Sequence, residues 1–211
     1  MLWRLRLRAA GVSLAAVAFG AAYFFVRQAI KDSIWRFDLY LFNKALAVAS
    51  LFLVSLSLLL TSIRFFSRRP RRGLAHRKHF GLAGFWTGAV HGLVSHVFLA
   101  GKFPLPAWMA RNPLAAGLGL AALALFGWMA VLSLAKIKGK MGGERWRKTL
   151  RTAGYAALVL AALHAASLKW GSWTKYLSTF ESVLPSLSLP AVLFAAAVVL
   201  LRLFVRAAKK H

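Results

Sequence analysis

The stretch Phe80 to Ala100, FGLAGFWTGAVHGLVSHVFLA, contains no Asp, Glu, Lys or Arg. It is about as long as a helix must be to cross a bilayer. His91 sits near its middle. An ionisable ring is costly in hydrocarbon, so it is expected to face the protein interior and to meet a partner, a pathway or a ligand. A second such stretch, Thr152 to Trp170, carries His164. His91 lies eleven residues into the first stretch and His164 twelve into the second. If both helices start at one membrane face, the two imidazoles reach nearly one depth, roughly 17 Å in.

Composition narrows the function classes. The chain has 211 residues, 60% of them hydrophobic, and a formal charge of +25. Nucleic-acid binders can be as basic, but they do not also repeat apolar runs of bilayer length. A lipid bilayer is the expected partner of such a chain, and nucleic acid is not. No cysteine is present, which excludes disulfides, iron–sulfur clusters and thiolate-ligated haem or zinc. The only acids are Asp32, Asp38, Glu144 and Glu181, all near or between the ends of the apolar runs. Paired-carboxylate catalysis and carboxylate-rich metal sites have no material to use.

The pattern predicts an all-α integral membrane protein, a single domain of six transmembrane helices over residues 9–26, 45–63, 80–100, 114–135, 152–170 and 187–205. The first run follows Arg4, Arg6 and Arg8 and could be mistaken for a secretory signal. It exceeds the usual length of a signal's apolar region and offers no clean cleavage site. Basic residues alternate in density between the connections. Arg64, Arg68, Arg69, Arg71, Arg72, Arg77 and Lys78 precede the third span, and a second set from Lys136 to Arg151 precedes the fifth. The intervening connections hold fewer. The positive-inside rule then puts both termini in the cytoplasm. Spans three and five run parallel, and Trp35, Tyr40, Trp108, Trp170, Trp173 and Tyr176 fall near the outer interface as an aromatic belt.

Small residues surround both central histidines. Gly84, Gly88 and Ser95 share a helical face with His91, and Ala157 and Ala161 share one with His164. A Gly-x-x-x-Gly stripe serves as a helix-packing surface, or as a groove in which a flat macrocycle lies between two imidazoles. Either histidine alone suits a buried hydrogen bond or a proton relay. Equal depth on parallel spans, with no intramembrane carboxylate to pair with, points instead to bis-histidine ligation of a b-type haem. His96 lies about 140° round the helix from His91 and is expected not to share its iron. His76 and His79 belong to the basic segment before the third span.

The segments HRKHFGLAGFWTGAVHGLVSH and RWRKTLRTAGYAALVLAALHAASLKW, set among six spans with basic inner loops, resemble the ferric reductase-like transmembrane domain family. Within it they look most like the bacterial haem-binding membrane subunit of the periplasmic methionine sulfoxide reductase system. The resemblance covers roughly Asn43 to Trp170. It implies a six-helix bundle in the inner membrane with haem b between spans three and five, held by His91 and His164, and electrons crossing the membrane. Members with two stacked haems have a further histidine where this chain has Arg151. One haem is therefore expected, His79 lacking an opposite ligand. The resemblance also implies a separate flavin or quinol donor and a periplasmic reductase as acceptor, with Arg77 and Lys78 at positions near an FMN phosphate. On the residues alone that basic pair is more often an anionic-lipid contact.

Two axial histidines leave no open site on iron, which favours electron transfer over oxygen activation. The expected role is therefore an electron-transfer subunit of an oxidoreductase system rather than a complete enzyme. The alternative is a small proton- or metal-translocating membrane protein using His91, His96 and His164.

Overall fold

In lipid no water is present to satisfy peptide groups, so an apolar run that crosses the bilayer closes its hydrogen bonds within itself as a helix. The computed structural model, which describes residues 2–66, 74–180 and 183–208, obeys that rule: these residues are helical with short turns, and no strand occurs among them. The elements are α1 (Leu2–Asp32), α2 (Leu39–Phe66), α3 (Leu74–Leu93), a π-helical turn at Val94–Phe98, α4 (Leu105–Arg111), α5 (Pro113–Leu132), α6 (Ala135–Met141), α7 (Gly143–Thr179) and α8 (Ser188–Ala207). Among the described residues, α1, α2, α5, α7 and α8 are long and apolar enough to cross a membrane. The chain is an all-α, multi-pass membrane protein.

The third apolar run differs from the uninterrupted helix expected over residues 80–100. Its α-helix starts earlier, taking in His76, Arg77, Lys78 and His79, and ends at Leu93. The backbone then widens into the π turn, where the Leu99 N–H donates to the Val94 carbonyl at 2.9 Å. Ser95 Oγ donates to the His91 carbonyl at 2.8 Å, and such a hydroxyl back-bond competes with the regular ladder just where it loosens. Two connections expected as loops contain helices. Pro106 lies in the first turn of α4, where its missing N–H costs nothing, and α6 occupies part of the basic segment before α7. Arg68, Arg69, Arg71, Arg72, Glu181, Lys209 and Lys210 lie outside the described residues.

The helix at the centre is α2. It packs against α1, α3, α7 and α8, and half of its apolar window is buried, against 17–28% for the other four candidate spans. Leu51, Val54 and Leu58 of α2 meet Leu158 of α7 and Ala191, Ala195 and Val198 of α8 in the largest core cluster described. Two serine hydroxyls of this helix are turned inward and satisfied, whereas the buried Thr61 hydroxyl has no partner. Ser55 bonds the Leu51 carbonyl at 2.7 Å, and Ser62 bonds the Tyr155 hydroxyl at 3.1 Å.

A closed circuit of four helices follows from the pairings. α2 packs on α3, α3 on α5, α5 on α7, and α7 back on α2. α3 and α7, which carry His91 and His164, stand on the diagonal and make little direct contact with each other. Facing helices of a four-helix arrangement are where bundle proteins build cofactor sites.

Candidate functional site

His91 is braced by α2. Its Nδ1 lies 3.0 Å from Asn43 Oδ1 and 3.1 Å from the Asn43 backbone carbonyl oxygen. Both partners are acceptors, so the ring proton is on Nδ1 and the lone pair is on Nε2. The orientation of the amide is set by a chain of donors. Ser95 Oγ gives its proton to the His91 carbonyl, so it accepts from Asn43 Nδ2 at 2.8 Å, which turns Oδ1 to the imidazole. Asn43 and Ser95 are both buried, where unpaired polar atoms are costly. The network is closed.

His164 is braced by α5. Its Nδ1 donates to the Ala115 carbonyl at 2.7 Å, again leaving the lone pair on Nε2. The ring lies against Gly119, so closely that a Cβ added there would stand 2.7 Å from His164 Nδ1 and 3.0 Å from Cε1. Only glycine leaves the ring this position.

The two imidazoles therefore share one design. Each is fixed by a carbonyl of the neighbouring helix and presents Nε2 as a free base, the arrangement by which proteins orient metal-binding histidines. They also share a neighbourhood, because a charge on His164 is felt at His91. Lys44 follows Asn43 in α2, stands 4.0 Å from the Tyr40 ring centroid, and feels the charges of Lys169, Arg27 and Lys102. Lys102 approaches the same Tyr40 ring at 3.9 Å.

The small residues on the histidine faces have other neighbours. Gly84 and Gly88 turn to α2: a Cβ at Gly84 would meet Val54 Cγ2 at 2.6 Å, and one at Gly88 would meet Ser50 Oγ at 2.7 Å. Theirs is the helix-packing role, and Ser50 Oγ donates to the Gly84 carbonyl at 2.7 Å across that seam. Ala157 is fully buried, and Ala161 packs against the cluster around Leu158. The groove-like close approach is instead made by Gly119.

The remaining histidines lie apart from the pair. His96, in the π turn, is 3.4 Å through Nδ1 from the Phe103 carbonyl, and its ring centroid is 5.1 Å from that of Trp108. His76 stacks on Phe80 at 5.9 Å, and His79 lines a groove with Ala9, Ser13 and Leu14 of α1. Arg77 and Lys78 diverge. Lys78 Nζ reaches the Ser133 carbonyl at the end of α5, 3.5 Å away, whereas Arg77 is half-buried, with Tyr155 first among the groups that act on it, then Arg151 and Arg202.

Asn43, Ala115 and Gly119 escaped the sequence reading. A buried asparagine in an apolar helix is a recognisable signal, whereas a backbone carbonyl leaves none. No family model matches the chain, and no curated protein matches it.

Proposed function

We propose that the chain is a haem b-binding membrane subunit, with six spans and both termini cytoplasmic, that passes electrons across a bacterial inner membrane to a periplasmic acceptor. The observation that carries this reading is the matched pair of Nδ1-anchored imidazoles, His91 on α3 and His164 on α7, two helices that stand on the diagonal of a circuit of four. The donor set fits the group. No cluster of three or more His, Cys, Asp or Glu side chains suited to a metal ion occurs among the described residues. A two-imidazole set instead suits an iron whose equatorial positions belong to a macrocycle.

Haem, when bound, supplies one-electron transfer. The protein's residues hold and insulate it. Asn43 and the Ala115 carbonyl keep both rings in the tautomer that offers Nε2, and Gly119 lets His164 sit flush on α5. Lys44, Lys102 and Lys169, a group of mutually repelling cations, would be available to pair with the haem's carboxylates. A quinol or flavin donor on one side and a reductase on the other complete the reading, which rests on the resemblance described above.

The test is an absorption spectrum of the purified full-length chain. A Soret band that shifts on dithionite reduction is expected in the wild type and lost in His91→Ala and in His164→Ala. A preparation that stays colourless after incubation with hemin refutes the assignment.

A further inference from the structure

Two lysines from separate parts of the chain meet on one aromatic ring. Lys44 Nζ, from α2, lies 4.0 Å from the Tyr40 ring centroid, and Lys102 Nζ, from the turn after the π-helical segment, lies 3.9 Å from it. That turn is closed by the Lys102 and Phe103 N–H groups, which donate to the Leu99 carbonyl at 2.9 and 2.8 Å. Phe103 packs on Tyr40 as well, with ring centroids 5.9 Å apart. The chain leaving the π turn is thus delivered to the start of α2.

An aromatic face attracts an ammonium group but carries no net charge, so the two cations still repel. Among the described residues the one ion pair joins Lys31 to Asp32 at 4.0 Å, and neither Lys44 nor Lys102 has such a partner. Asp38 is the carboxylate that acts on Lys44, behind Lys169, Arg27 and Lys102 in strength. Its Oδ1 accepts the Leu41 N–H at 2.8 Å, which caps α2. The surrounding face has the same sign. By the proposed topology the outer connections and their flanking helix ends are residues 27–44, 99–112 and 169–187, and these hold eight Lys or Arg against three acids. Cations on a translocated face work against the positive-inside rule, so their presence there calls for a partner on that side. Lys102 is exposed and Lys44 half-buried, which puts a fixed charge where a macromolecule can reach it.

We infer that Lys44, Tyr40 and Lys102 form a docking point for a carboxylate-rich protein surface. Under the proposed function, on which the choice of face rests, that surface belongs to the electron acceptor. Complementary charge at such a contact speeds encounter and fixes orientation.

The test places a thiol at the site. The chain has no cysteine, and Gly101 is exposed, with nothing within 4 Å of an added Cβ, so Gly101→Cys in the full-length protein sets one thiol beside Lys102. In phosphatidylcholine nanodiscs its labelling by N-ethylmaleimide, an uncharged reagent, is followed with hexaglutamate or hexalysine peptide present. Hexaglutamate is expected to slow the labelling at low salt and not at high salt, and hexalysine to leave it unchanged. Adding Lys102→Gln weakens the protection about threefold, the size of one exposed ion pair. Adding Lys140→Gln instead, which removes an equally exposed charge from α6, keeps it. Absence of protection overturns the proposal, as does equal protection with and without Lys102. The assay contains no haem and nanodiscs expose both faces, so a colourless preparation or a reversed topology refutes the proposed function without touching this readout.

Discussion

His91 gives its Nδ1 proton to Asn43, 3.0 Å from the side-chain oxygen and 3.1 Å from the backbone oxygen of the same residue. One residue of α2 thus decides which nitrogen of an α3 histidine is left to bind. In Asn43→Leu the side-chain acceptor is lost, and Ser95 loses the donor from which it accepts. Partners that orient a metal-bound histidine are worth about 10–100-fold in affinity, so hemin titration followed at the Soret band is expected to show a loss of that order. Ser95 keeps its bond to the His91 carbonyl, so the lost Asn43–Ser95 bond lowers stability by about 0.5–1.5 kcal/mol, read as a fall in Tm.

Gly119→Ala places a methyl 2.7 Å from His164 Nδ1, which forces the ring off the Ala115 carbonyl. The variant is expected to bind hemin poorly while its helix content by circular dichroism is unchanged. Gly117→Ala, two positions away with nothing within 4 Å of the added carbon, behaves like wild type. Equal hemin affinity in the two would count against a placed His164.

Gly84→Ala separates the packing role from a cofactor role. Its Cβ meets Val54 Cγ2 at 2.6 Å and the Ser50 carbonyl oxygen at 3.1 Å, so it wedges α3 from α2. Overpacking of this kind costs about 1–3 kcal/mol, and a lowered Tm is expected with or without hemin. Gly92→Ala, open to space, leaves Tm unchanged.

Lys44→Met removes the cation that follows Asn43 in α2. Hemin affinity is expected to fall roughly tenfold, the size of one charge-assisted hydrogen bond. Hemin dimethyl ester, with its carboxylates blocked, binds wild type and variant alike. A similar loss for the ester would show that the lysine acts through packing, not charge.

Because the chain has no cysteine, single cysteines report topology cleanly. Lys102 and Lys140 are both exposed, and the proposed topology puts them on opposite faces of the membrane. In intact cells a membrane-impermeant maleimide is expected to label Lys102→Cys and to spare Lys140→Cys until the cells are lysed.

The helices themselves were legible because span length and apolarity are local properties of the chain. Each predicted run lies largely inside a helix. The break at Leu93 was hidden, since a π turn follows from a competition between Ser95 Oγ and the backbone for one carbonyl, which hydropathy does not register. Gly84 and Gly88 were readable as a small-residue stripe, but a stripe does not say which neighbour it meets. α2 met it.

Apolar run length, the lack of acids within the third and fifth runs and the position of one histidine along each came from sequence alone, because each depends on position along one helix. Tertiary packing decided the rest: that α2 is the hub, that Asn43 and Ala115 anchor the rings, and that Gly119 seats His164. The physical reason is rotation. A helix of given apolarity crosses the bilayer equally well at any angle about its axis, and only packing against its neighbours selects the angle that aims its polar groups.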